Sequence, residues 1–414
     1  MKVIQLDDLN PDSKRGKLLL SLLQQPDPDR FGWGAGKHYK IPYKNKVTKI
    51  KLDSTIIKRP SKKGGFRYDV IDTVPLGEGG FGTVYPVKMT YKIENDRLEF
   101  KKKPLGKRRI VKVMACTDPE TLDKAIVEYK MMKLTPHLFP KGPVLYNDFI
   151  YMTSRRLEGV SLFDLIENDL SGQKPLSLEE RFRLSIRLME AVHNQVIAKD
   201  MVHRDLKPEN MIVDLESDSV GTIDYGFAKF YDEITDNEAA GSELYAAPEV
   251  FLNVGTDQRS DIYSLGRILG LIWHNDLELY AFGRGYDVIL RNAKNPHNHD
   301  KLFENINGLD PEVENIIRQT LINMTAFNKE ERCDFTNAYE ALIKAHEIQL
   351  NKENIRNKTT EIKVNTAPLK NDENFDPANK KSKKWSCFFK PRKKKIDKVA
   401  KHSVDGENNN MPTF

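Results

Sequence analysis

Between Tyr68 and about Leu350 the alternation of apolar and polar residues is dense, and its period changes along the chain. Tyr68-Asp69-Val70-Ile71-Asp72-Thr73-Val74 reads as a strand running into a glycine-rich turn. Ile110-Val111-Lys112-Val113-Met114, rich in β-branched residues, reads as another. The spacing then shifts to three and four. Leu122, Ala125, Ile126, Tyr129 and Met132 share one face of a helix that opens at Thr117-Asp118-Pro119-Glu120. Thr117 at the N-cap with Glu120 at N3 predicts a capping box, and Pro119 falls in the first turn, where its missing N–H is tolerated. Long helical stretches follow Ser177. Strands first and helices afterwards predict an α+β chain, with a small β-rich lobe joined to a larger helical one.

The flanks differ from this centre. Residues 1–65 are mixed, punctuated by Pro11, Pro26, Pro28 and Pro60, and read as an N-terminal extension. Within them Gly32-Trp33-Gly34-Ala35-Gly36-Lys37-His38 approaches a P-loop but has Phe31 at the first glycine position and His38 at the Ser/Thr position, so a glycine-rich turn is the better reading. Beyond residue 350, Asn, Lys, Asp and Glu dominate. Residues 351–414 bury too little apolar surface to offset their ordering entropy and are expected to be a disordered basic tail. The central domain is expected over 66–350, its small lobe over about 66–157 and its large lobe over about 158–350.

Composition adds limits. With 39% hydrophobic residues in 414, a sizeable core is available. Cys116, Cys333 and Cys387 are too few and scattered for a disulfide framework or zinc cluster, which suits a reducing compartment. No run of 18 apolar residues suggests a membrane span, and the first residues lack the apolar stretch of a secretory signal. A cytoplasmic protein, or one exported without a removable signal, is expected.

The net charge of +6, from 66 basic and 60 acidic residues, does not call for nucleic acid as a partner, but the average conceals two patches. Lys101–Arg109 holds six basic residues and no acidic one, and reads as a basic hairpin tip with Pro104 and Gly106 as turn formers, either a solvated edge or a docking surface. Lys380–Lys401 sets eleven basic residues against Asp397, with Trp385, Phe388 and Phe389 among them. It resembles basic-aromatic membrane effector segments, with an import or nucleic-acid segment and an idle tail as alternatives. Cys387 is an acylation candidate or a plain thiol, and phosphate on Ser382 or Ser386 would weaken membrane attraction.

Three motifs carry chemistry. In Leu76-Gly77-Glu78-Gly79-Gly80-Phe81-Gly82-Thr83-Val84-Tyr85, the glycines let backbone N–H groups approach phosphate oxygens. Alone this pattern also fits a dinucleotide fold or a glycine-rich hairpin, although Thr83-Val84-Tyr85 reads as a returning strand. Val202-His203-Arg204-Asp205-Leu206-Lys207-Pro208-Glu209-Asn210-Met211 is far more specific. Asp205 can accept a proton from an attacking hydroxyl, Asn210 can ligate Mg²⁺, and Lys207 can neutralise a transferred phosphoryl group. Asp224-Tyr225-Gly226 supplies a second Mg²⁺ ligand, and Ala247-Pro248-Glu249 follows it.

In this order, from about Tyr68 to about Leu342, the chain resembles the eukaryotic-type protein kinase family. The resemblance implies a bilobal protein kinase fold, ATP and Mg²⁺ as cofactors, and protein substrates. It implies that Leu76, Gly77, Gly79, Gly80, Phe81, Gly82, Val84, Ile110, Lys112 and Ile212 surround the nucleotide, that Lys112 contacts the α/β-phosphates, and that Glu128 is its ion-pair partner. Asp261 resembles the buried aspartate that braces the catalytic loop, and Arg332 the partner of Glu249. Three departures stand out: Ile110 where the family usually has alanine, Tyr225 where it has phenylalanine, and an unusually long stretch from Gly82 to Lys112. Lys207 after Asp205-Leu206 resembles the Ser/Thr-specific pattern, with Ser242 in the usual threonine position. Arg204 implies a site for a charged activation loop, with Thr235 and Ser242 as phosphorylation candidates, Tyr231 a weaker one, and Glu233, Asp236 and Glu238 as built-in acids. A pseudokinase scaffold and a small-molecule phosphotransferase are the alternatives. The intact catalytic set beside a Lys/Asn-rich tail is similar to kinases that intracellular bacteria export into host cells.

Overall fold

The strand at Tyr68 is not where the sheet begins. The computed structural model describes residues 2–28, 32–61, 64–79, 82–102, 108–234, 241–252, 255–274, 294, 296 and 301–365. Gly80, Phe81, Thr235, Asp236, Glu238, Lys103–Lys107 and the basic tail segment lie outside them.

The N-terminal residues fold. They form β1 (Lys2–Ile4), α1 (Lys14–Leu23), β2 (Gly32–Trp33), β3 (His38–Tyr43), β4 (Lys46–Leu52) and β5 (Thr55–Pro60). Ser13 caps α1 by accepting the Gly16 N–H, and the helix buries Leu18, Leu19, Leu22 and Leu23. Each such leucine contributes about 1.5–3 kcal/mol on burial. They pack with Ile4, Ile41, Ile50 and Leu52 from a three-stranded sheet of order β1-β4-β3. The β3–β4 turn is Lys44-Asn45, both at positive φ, +48° and +57°, which matches the twist of a two-residue hairpin.

The remaining small-lobe strands are β6 (Phe66–Ile71), β7 (Gly77–Gly79), β8 (Gly82–Glu94), β9 (Arg97–Lys102), β10 (Arg109–Ala115), β11 (Lys141–Tyr146) and β12 (Phe149–Arg155). The sheet runs β11-β12-β10-β8-β6-β5-β2, with β7 and β9 paired to β8. Because β5 pairs antiparallel with β6 from Thr55↔Ile71 to Pro60↔Phe66, the boundary expected at residue 65 falls inside a hairpin. Residues 2–60 thus continue the small lobe. Asp27 ties them to β11, accepting from Lys58 Nζ at 3.0 Å and Tyr146 Oη at 2.8 Å. The long stretch before Lys112 holds a further strand: β8 and β9 form a hairpin that turns at Asn95-Asp96, Lys101 and Lys102 end β9, Arg109 opens β10, and the centre of the expected basic tip lies outside the described residues.

Helix α2 (Pro119–Lys133) is capped by Asp118, which accepts from Thr121 N, and not by Thr117. The Thr117 hydroxyl instead donates to the Asp118 carboxylate at 2.8 Å, so the stronger acceptor takes the helix N–H. Its inner face carries Ala125, Glu128, Met131 and Met132.

The large lobe comprises β13 (Val160–Ser161), α3 (Leu162–Leu170), α4 (Leu178–Gln195), β14 (Met201–Val202), β15 (Met211–Asp214), β16 (Ser219–Thr222), β17 (Lys229–Phe230), α5 (Pro248–Leu252), α6 (Gln258–Ile272), α7 (Pro311–Met324) and α8 (Phe335–Asn365). Ser177 and Glu180 form a capping box at the head of α4. The core joins Phe182, Leu188, Leu265, Leu269, Trp273, Leu321 and Ala345. Helix α8 runs through the expected domain end at 350, where buried Gln349 accepts from Asp310 N and donates to Gly308 O. The first compact unit of the chain ends at Thr359.

Candidate active site

The upper wall of the site follows from strand register. Leu76 N donates to Val84 O, folding the glycine-rich segment back on β8. Val84 pairs with Lys112 and Pro86 with Ile110 across β8–β10, so Ile110 and Lys112, two residues apart, share one face. Ile110 in turn pairs with Ser154 on β12. The bulk of isoleucine is therefore set opposite a small side chain. Gly82, at φ +110°, lies where a Cβ would come within 2.5 Å of Val113 O, so packing alone demands glycine there. At Gly77 and Gly79 a Cβ would meet nothing within 4 Å, so their glycines answer to something other than the protein's own packing.

Lys112 Nζ donates to both oxygens of Glu128, at 2.8 and 3.0 Å, and to Asp224 Oδ1 at 3.2 Å. The pair predicted across sixteen residues is made, and it is buried. Burial works against the Lys112 ammonium, but the carboxylates of Glu128 and Asp224 outweigh it and raise its pKa. Burial likewise opposes the Asp224 charge, yet Lys112 holds its pKa below the usual carboxylate range. Lys112 is thus a charged cation at neutral pH, shared by two carboxylates.

The lower wall is the segment from His203 to Asn210. Asp205 Oδ2 accepts from Lys207 Nζ at 2.9 Å and Asn210 Nδ2 at 3.1 Å, while Oδ1 accepts from Ser242 Oγ at 2.8 Å. Lys207 also donates to Ser242 Oγ at 2.9 Å. Asn210 Nδ2 reaches the Asp205 carbonyl as well, at 2.9 Å, which fixes the direction of its amide. Gly241, at φ +107°, packs against the Arg204 carbonyl, where a Cβ would come within 2.5 Å. The hydroxyl of Ser242, a phosphorylation candidate in the usual threonine position, thus bonds both Asp205 and Lys207. Ile212 follows on β15, paired with Gly221.

Buried groups brace this loop from beneath. Asp261, at the head of α6, accepts the backbone N–H groups of His203 at 2.6 Å and Arg204 at 3.1 Å. Burial pushes its pKa up to about 7 against those two donors. Arg204 itself sits at φ +67° and Asp224 at φ +59°, conformations that a sequence does not announce for non-glycine residues. Glu249 receives both Arg332 nitrogens, at 2.5 and 2.6 Å, and the Ser260 hydroxyl at 2.7 Å.

Tyr225 is buried, and its hydroxyl bonds to that of Thr222. The extra oxygen relative to phenylalanine is therefore satisfied, a partner that the motif did not suggest. His203 packs at 4.9 Å against the Tyr225 ring, with Nε2 3.2 Å from Ile223 O. Burial lowers the His203 pKa, so its imidazole is neutral.

Asn210 and Asp224 offer oxygen donors only, which suits a hard cation such as Mg²⁺ shared with phosphate oxygens. With its nitrogen committed to Asp205, the Asn210 amide oxygen is the atom left to ligate. Of the two carboxylates that bond Lys112, Asp224, its side chain 38% exposed, is far more accessible than Glu128 at 5%. These residues fit the cation that the resemblance implies. No cluster of three His, Cys, Asp or Glu occurs among the described residues, so phosphate and water would have to complete the coordination.

The comparisons agree with this geometry. Residues 71–342 match the protein kinase domain family. The probable serine/threonine-protein kinase 2 of Plasmodium falciparum is 30% identical over 207 residues, 50% of this chain and 38% of that protein. The human cGMP-dependent protein kinase 2 is 27% identical over 248 residues, 59% of this chain and 30% of its own. CBL-interacting protein kinase 21 of Oryza sativa subsp. japonica is 35% identical over 200 residues, 47% of this chain and 35% of its own. The chain spans less than half the length of these relatives.

Proposed function

The chain belongs to the protein kinase family, and on that premise we propose that it transfers the γ-phosphoryl group of ATP to serine or threonine hydroxyls of proteins. The observation that carries this reading is the Asp205 carboxylate, held on both oxygens by Lys207, Asn210 and Ser242. The attacking oxygen would form its bond to the γ-phosphorus as the bond to the β-γ bridging oxygen breaks. The hydroxyl proton would pass to Asp205, and ADP would leave with the bridging oxygen. Lys112 would steady the α/β-phosphates and is itself steadied by Glu128. Bound Mg²⁺ would neutralise phosphate charge, with Asn210 and Asp224 as its protein ligands. Lys207 is close enough to Asp205 to reach a transferring phosphoryl group and, with Ser242, to hold the base in place.

The assembled Lys112–Glu128 pair supports a further reading, that the protein is partially active without activation-loop phosphorylation. Glu233 and the acids nearby would stand in for a phosphate. Inactive unmodified protein that gains full activity on Thr235 phosphorylation would contradict this. A phosphotransfer assay on generic protein substrates, followed by phosphoamino-acid analysis, tests the activity itself. Transfer to serine and threonine is expected. Nucleotide binding without turnover would favour a scaffold, and transfer only to a small molecule would favour the other alternative.

The tail at Lys380–Lys401 supports signalling at an anionic membrane, since each basic residue near such a surface contributes about 1 kcal/mol. Fractionation of a tail-deleted chain tests it, with reduced membrane recovery expected and unchanged recovery counting against it.

A further inference from the structure

The three-stranded N-terminal sheet has two faces of opposite character. Its inner face, with Ile4, Ile41, Ile50 and Leu52, is buried under α1. On its outer face the register sets His38 opposite Lys51, Lys40 opposite Lys49 and Pro42 opposite Val47, and Val3 lies beside Lys51 on the other flank. His38, Lys40, Pro42, Val47 and Lys49 are exposed, Val3 is 43% exposed and Val47 72%.

Like charges directly opposed across strands destabilise a sheet. Strands β1, β3 and β4 contain no acidic residue to relieve them. No described carboxylate forms an ion pair with Lys40, Lys49 or Lys51. Crowding of this kind continues at the margin, where contact with Lys14 lowers the Lys2 pKa and Arg15 adds to the effect. Folding therefore leaves a positive face with two exposed valines in it.

We propose that this outer face, built from Lys40, Lys49 and Lys51 around Val3 and Val47, docks on an anionic lipid bilayer. An array of lysines on one sheet face with small apolar side chains between them suits a headgroup layer, where ammonium groups meet phosphates and the valines enter the apolar boundary. The rest of the chain favours a planar anion and a single orientation. Residues 158–350 hold 35 acidic and 18 basic residues, so an extended negative surface repels the large lobe while it attracts this face. Nucleic acid fits less well, because the face has no arginine, tryptophan, tyrosine or phenylalanine, and His38 at its edge is the one ring it offers for base stacking. The inference rests on residues 2–52 and not on the C-terminal tail.

The test is sedimentation of the full chain with phosphatidylserine-containing vesicles, comparing wild type with the K40A/K49A/K51A variant. Each lysine is expected to contribute roughly fivefold, so vesicle partitioning should fall about 100-fold. Pure phosphatidylcholine vesicles should bind neither protein. Because the substitutions remove repulsion, the variant should melt no lower than wild type, which separates lost binding from lost folding. Repeating the comparison in a chain with Arg392, Lys393, Lys394 and Lys395 changed to alanine separates the two basic regions. A loss caused by the tail changes alone supports only the tail reading. Unchanged vesicle binding in the sheet variant overturns the proposal, as does a loss confined to a polyglutamate or single-stranded RNA probe.

Discussion

Two buried ion pairs, Lys112–Glu128 and Arg332–Glu249, use the same kinds of group for opposite ends. Arg332 is closed on every side: its nitrogens meet both Glu249 oxygens and the carbonyls of Ala326, Phe327 and Arg259. Its side chain is 0% exposed and that of Glu249 2%. Lys112 is shared. It binds Glu128 deep in the lobe and Asp224 at the cleft, whose side chain is 38% exposed. A saturated pair holds two segments together. A shared one keeps a cation charged and available at an opening, where phosphate can compete for it.

The largest separation between them should appear in stability. Arg332→Ala leaves Glu249 buried and unpaired, and should cost about 3–5 kcal/mol, read as a lower urea midpoint. Lys112→Met should destabilise less, because buried Glu128 can take up a proton, its pKa already raised by burial. That variant should instead lose about 10²- to 10³-fold in phosphotransfer. Equal stability losses would erase the distinction. A smaller effect is expected at Ser242→Ala, which removes one charge-assisted hydrogen bond to Asp205 and should lower kcat about tenfold with little change in KM.

The smallest effect is in pH dependence. His203 is held neutral by burial, facing Asp205, Asp224 and Lys207, so its folded pKa lies below its unfolded value of 6.5. Above that value both states are neutral and nothing is lost. As pH falls through it, the unfolded chain binds a proton that the fold refuses, and stability declines by up to about 1.4 kcal/mol per pH unit. In His203→Tyr this part of the acid slope should vanish from thermal melts taken between pH 7 and 5. An identical slope would mean that His203 is not the titrating group.

The same contrast explains what the sequence made legible. Asp205, Asn210 and Asp224 lie in short motifs whose residue types suggested one metal-phosphate centre, whereas the bracing roles of Glu249 and Asp261 came only with the family resemblance. Lys112 and Glu128 needed a strand and a capped helix around them, and both elements were visible in the apolar spacing. The cap itself was misplaced by one residue, because Thr117 and Asp118 are both good acceptors and only geometry chooses between them. Residues 2–60 were not recognised as part of the small lobe. Their strands are short, their hairpin turns on Lys44-Asn45 without a glycine, and β2 is only two residues long. Pro60 read as punctuation, although it is the last residue of a strand. Ser242 was placed by analogy at a regulatory position, and its hydroxyl contacts depend on a chain reversal of 37 residues that no local pattern records.

The decisive comparison is phosphotransfer by the unphosphorylated 414-residue chain and by its Asp205→Ala variant. Label on serine and threonine of a protein substrate is expected with the wild type, and a rate about 10²- to 10⁴-fold lower with the variant. Equal rates for the two proteins, or nucleotide binding by the wild type with no transfer, would contradict this expectation.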